Sequence, residues 1–80
     1  MPRYFFHVRD GCDLPDTEGS ELPDLNAVRL EALRASGEML RGNKGEAAFW
    51  SGEDWTMNVL DDAGGPVLTL RFSGKLHDRA

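Results

Sequence analysis

The chain has 80 residues, 40% apolar and 29% charged, with fourteen acidic against nine basic residues and a net charge of −5. That length holds one hydrophobic core and excludes a second, and the composition excludes a disordered chain. A negative balance with no run of basic residues disfavours contact with a phosphate backbone, so no nucleic-acid partner is expected.

Met1-Pro2-Arg3 leads directly into a strand-like run and lacks the apolar core and small-residue cleavage site of a signal peptide. Over residues 3–9, Tyr4, Phe6 and Val8 alternate with Phe5, His7 and Arg9, the period of a strand. Asp10-Gly11 is a hairpin signal; a type I′ turn there pairs Arg9 with Cys12 and His7 with Leu14. The returning strand is short, because Pro15 removes a ladder donor, and 16–19 reads as a second turn. Cys12 is the only cysteine, so no internal disulfide forms; a lone thiol fits a reducing cytoplasm.

The period then changes to 3.6. Asp24 is placed to cap a helix running to Arg41, with Leu22 before it as a hydrophobic staple. Leu25, Val28, Ala32, Ala35 and Met39 make one stripe, widened by Leu33, Ser36 and Leu40. Glu31, Arg34, Glu38 and Arg41 occupy the opposite side, where Leu30 also falls. Gly37 weakens the helix unless close packing requires it, and Gly42-Asn43 ends it. Residues 43–54 read as a loop holding the apolar pair Phe49-Trp50. Trp55, Met57 and Val59 then alternate with Thr56, Asn58 and Leu60; Asp61 to Gly65 form a hairpin loop; Pro66 opens a last strand with Leu68, Leu70 and Phe72 on one side. No apolar stretch approaches the roughly 18–20 residues of a membrane helix, so no membrane partner is expected.

The order predicts an α+β domain over 1–73: an antiparallel sheet of three to four strands with one helix packed on one face, in ββαββ order. Residues 74–80 are expected to form a flexible tail. The run from Pro2 to Gly11 (PRYFFHVRDG), then DxEGxELPDL over 16–25, AxRxEA over 27–32, Asp61-Asp62-x-Gly64 and VLTLxF over 67–72, resembles a family of small bacterial proteins known only as a domain of unknown function. Members usually carry proline where this chain has Arg71. The resemblance implies a shared fold and supplies no catalytic residues. A looser likeness, of pattern only, is to the small partner proteins of toxin–antitoxin pairs.

Four constellations are weighed for chemistry. Asp13, Asp16, Glu18, Glu21 and Asp24 supply oxygen ligands, but setting Gly19 at the invariant glycine of an EF-hand loop puts Leu14 and Leu25 at ligand positions. A solvated turn with helix-cap charges is the preferred reading, and no metal or cofactor is expected. His7 and Cys12 are diagonal neighbours in the type I′ register, too loose for a nucleophilic dyad, so a small hydrolase using them ranks last. Asp61-Asp62-x-Gly64-Gly65 lacks the lysine and the following helix of a phosphate loop. The aromatic side chains lack the surrounding positive charge of a stacking platform.

What remains is apolar surface in excess of one small core: Tyr4, Phe5, Phe6, Leu30, Phe49, Trp50 and Trp55 are the candidate contact residues. A domain of this size buries only about 60–65% of its unfolded surface, and here no disulfide supports it. The expected function is a non-enzymatic, self-associating interaction module, a homodimer. The alternative is an antitoxin-like or regulatory partner of another protein.

Overall fold

The computed structural model describes residues 1–42, 50, 52 and 54–78. Most of the expected 43–54 loop, Phe49 included, lies outside the described residues. Among the described residues five strands and one long helix follow one another: β1 (Arg3–Arg9), β2 (Asp13–Leu14), β3 (Ser20–Glu21), α1 (Leu25–Gly42), β4 (Trp55–Leu60) and β5 (Pro66–Phe72). The architecture is the expected α+β one, with one more short strand. The sheet runs β2-β1-β4-β5, all antiparallel, with β3 also on β1.

Alternation decides which side chains meet the helix. Phe6 lies opposite Val59, Val8 opposite Met57, and these continue to Leu68 and Leu70 across β5. Val8, Trp55, Met57 and Val59 close with Val28 and Ala32 of α1 into the buried core. Tyr4, Phe6, Leu68, Leu70 and Phe72 pack around it half-buried. Trp55 meets Phe72 edge-to-face at 5.7 Å. Ser36 is buried among them, its hydroxyl 3.6 Å from the Met57 sulfur.

The Asp24 carboxylate accepts the Ala27 N–H at 2.8 Å, the expected cap. The core stripe is narrower than the helical period predicts. Only Val28, Ala32 and Ser36 are fully covered, while Leu25 is 48% and Met39 39% exposed. An 18-residue helix spans about 27 Å, longer than the strands beneath it, so both ends overhang. Gly37 has open space where a Cβ would stand, so no close packing requires it. Gly37→Ala is therefore expected to add roughly 0.5–1 kcal/mol and raise the melting temperature by several degrees. A fall in a calorimetric scan would contradict this.

The first hairpin differs from expectation by one residue. Arg9 pairs with Asp13 and Val8 with Leu14 around a three-residue loop, Asp10 to Cys12. The Asp10 N–H bonds the Cys12 carbonyl at 3.1 Å, and Gly11 takes a φ of 99°. The shift turns every side chain of the return strand to the other face. Leu14 comes to the side of Val8, and Asp13 comes 3.7 Å from Arg9.

β3 continues along the edge of β1 that β2 leaves: Tyr4 pairs with Ser20, Arg3 with Glu21, and the Leu22 N–H reaches the Pro2 carbonyl. Between the two short strands the chain turns out of the sheet, and the Phe6 N–H has no strand opposite it. The Asp16 carboxylate fills that gap at 3.1 Å. Residues 73–78 have no regular structure.

Candidate interaction surface

Among the described residues β5 has a neighbour on one side only, so its seven residues leave a row of backbone groups at that sheet edge. Beside that edge, Arg29, Ala32 and Leu33 of α1 and Leu68 and Leu70 of β5 line an open groove of about 280 Å³. Leu33 is 56% exposed there and Leu30, one turn back, 61%. At 100° per residue the flank of α1 above the edge carries Asn26, Arg29, Leu30, Leu33 and Gly37.

No carboxylate stands on that flank or on β5. The helix acids lie on the other side. Glu31 takes two bonds from Arg34, at 3.0 and 2.6 Å, and Glu38 stands 3.5 Å from the same guanidinium. The bond from Arg34 holds the Glu31 carboxyl below its usual value, and Glu31 in turn raises Arg34. In a chain of net charge −5, β5 and this helical flank thus carry no acidic side chain of their own.

The candidate contact residues do not gather at this place. Trp55, only 3% exposed, is a core residue rather than surface. Tyr4 and Phe6 pack half-buried against the same core. Phe5 lies on the opposite, uncovered face of the sheet, stacked on His7 with ring centroids 6.4 Å apart. Trp50 is 41% exposed, and Phe49 lies outside the described residues. Of the described members of the set, Leu30 borders that edge. Leu33, Leu68 and Leu70 belong to that border, although period alone places them in the core; the signal that separates them is strand order, which period does not carry.

His7 and Cys12 form no dyad. His7 Nδ1 accepts the Asp16 N–H at 3.1 Å, while the Cys12 thiol lies 3.6 Å from the Asp10 carboxylate. That bond and the charge of Asp10 push the thiol up, away from the nucleophilic thiolate. Four of the five acids of the stretch are engaged locally: Asp16 and Asp24 with backbone N–H groups, Asp13 and Glu21 with arginines. Among the described residues, no three His, Cys, Asp or Glu side chains are grouped to hold a metal, and no helix is long and apolar enough to cross a membrane.

Fold and surface together define a small α+β domain in which, among the described residues, one sheet face and one seven-residue edge are uncovered. The chain belongs to the family described as Domain of unknown function (DUF6894), whose profile matches residues 3–73. No curated protein and no solved structure matches it.

Proposed function

We propose that this domain is a non-enzymatic module that self-associates as a cytoplasmic homodimer through β5. The observation that carries the reading is the edge of β5, unpaired among the described residues, lying beside a helical flank that exposes Leu30 and Leu33 and carries no carboxylate. Such an edge is self-complementary by symmetry, since an antiparallel strand pairs with a copy of itself about a two-fold axis. A pairing centred on Thr69 sets Leu68 of one protomer against Leu70 of its partner, and Val67 against Arg71, so no like charges oppose. The same axis brings the Leu30 and Leu33 flanks together above the joined sheet. The exposed free thiol of Cys12 supports the reducing compartment.

Sedimentation velocity at high micromolar concentration is expected to show a particle of twice the chain mass. Leu30→Glu with Leu33→Glu is expected to give a folded monomer, because both side chains are exposed in one protomer and only the joined flanks would bury the new charges. A native monomer at that concentration, or a dimer that survives the double substitution, overturns the reading.

A further inference from the structure

Of the fourteen acidic residues, none lies on β1, β4 or β5. The basic side chains of those strands are Arg3, His7, Arg9 and Arg71, and strand alternation puts all four on the face that α1 leaves uncovered. Registration orders this face into rows. Arg9, Thr56 and Arg71 lie side by side across β1, β4 and β5. His7, Asn58 and Thr69 form the next row, and Phe5 with Leu60 the one beyond.

The hydrogen bonds within these rows leave donors facing outward. His7 Nδ1 already accepts the Asp16 N–H, so in the neutral ring Nε2 carries the proton. The Thr69 hydroxyl donates to the Asn58 carbonyl oxygen at 2.9 Å, which leaves the Asn58 amide group to donate elsewhere. Two guanidiniums, the Thr56 hydroxyl, an imidazole N–H and a carboxamide NH₂ thus share one surface. An open groove of about 420 Å³ borders the β1–β2 end of this surface, lined by His7, Val8, Arg9, Asp13, Leu14, Pro15 and Asn58, and does not extend to Thr56 or Arg71. Asp13 is the acid in that lining, 3.7 Å from Arg9; Asp54 stands 3.9 Å from Arg71. Both are exposed pairs longer than a hydrogen bond and screened by solvent, so an incoming acceptor displaces them at small cost.

We propose that the uncovered sheet face binds a small oxyanion, a phosphate ester or a polycarboxylate, held by Arg9 and Arg71 on either side of Thr56 with His7 and Asn58 donating from the next row. The guanidinium and N–H donors of this row suit an acceptor ligand, and guanidinium pairs match tetrahedral and planar oxyanions alike. The site requires no second protomer.

The test is a ¹H–¹⁵N titration of the whole chain with inorganic phosphate and, separately, with citrate, against sodium chloride at matched ionic strength. Saturable shifts are expected on Arg9, Thr56, Arg71 and His7 with at least one of the two anions. The anion that saturates at lower concentration identifies the ligand class. Arg9→Gln with Arg71→Gln is expected to weaken that binding by roughly tenfold or more while leaving the tryptophan fluorescence unchanged. Shifts that chloride reproduces, saturation with neither anion, or equal affinity in the double variant overturn the proposal.

Discussion

Gly19→Ala is expected to destabilise the domain by about 3 kcal/mol, a large part of the roughly 4–12 kcal/mol that a chain of this length has. Gly19 adopts a φ of 74°, where an L side chain costs about 1–2 kcal/mol. A Cβ there would stand 2.9 Å from the Tyr4 carbonyl oxygen, 2.8 Å from the Phe5 ring and 3.0 Å from the Arg3 side chain. The carbonyl belongs to β1 at the point where β3 pairs with it, so it has no freedom to retreat. Such crowding adds about 1–3 kcal/mol. Gly64 is the control. Its φ is 82°, but nothing stands within 4 Å of the position a Cβ would take, so Gly64→Ala is expected to cost only the conformational part, about 1 kcal/mol. Urea unfolding at neutral pH reads the difference. Equal losses at the two glycines would show that the contact with β1 does not constrain the turn.

What is legible in the sequence is what local pattern encodes. The alternation in β1, β4 and β5 and the Asp24 cap place those elements within a residue or so of their bounds, and Leu30 stands out as apolar among helix charges. The register of the first hairpin is not legible, since Asp10-Gly11 serves a two-residue or a three-residue loop and only tertiary pairing selects between them. β3 escapes sequence reasoning for a related reason: Ser20-Glu21 is too short to alternate, and its place is set by a carboxylate at Asp16 bridging to Phe6. The helical period identifies the apolar stripe of α1 but not where the sheet beneath it ends, so it counts Leu25, Leu33 and Met39 as core although all three are exposed. Trp55 reads as surface because a tryptophan beside a glycine-containing loop carries no sign of which face it turns to. The row of Arg9, Thr56 and Arg71 draws on strands separated by most of the chain, and nothing in sequence spacing brings them together.

The two uncovered parts of the sheet have different chemistry, and this separates the two proposals experimentally. The edge of β5 offers backbone groups and leucines; the open face offers side-chain donors. Charge introduced at Leu30 and Leu33 acts on the first and leaves Arg9 and Thr56 untouched, while removal of both guanidiniums acts on the second without altering the helical flank. A chain that dimerises with no oxyanion affinity, or binds oxyanions as a monomer, is therefore a clear result in either direction.

Asp16→Ala is expected to cost about 2–3 kcal/mol at neutral pH and to reduce the acid sensitivity of the fold. Both carboxylate oxygens are engaged. One accepts the Glu18 and Gly19 N–H groups at 3.1 and 3.0 Å, the other the Phe6 N–H at 3.1 Å. The Phe6 bond is part-buried, so its loss leaves a donor with little access to water, a cost of about 1–3 kcal/mol; the turn donors are more readily re-solvated. Asp16→Asn is expected to recover only part of this, because a carboxamide has one acceptor oxygen for two separate sets of donors. The pH dependence follows from the same contacts. Burial by itself raises the Asp16 carboxyl, but the N–H groups of Gly19, Phe6 and Glu18, with His7 nearby, outweigh it and hold the group below its usual value. A carboxyl depressed in the folded state stabilises at every pH above its unfolded value near 4 and loses that contribution as pH falls through the folded value. The gap in urea stability between native chain and Asp16→Ala should therefore be full at neutral pH and shrink below about pH 4. A gap that persists undiminished in acid would mean that the ionised carboxylate is not what ties the turn to β1.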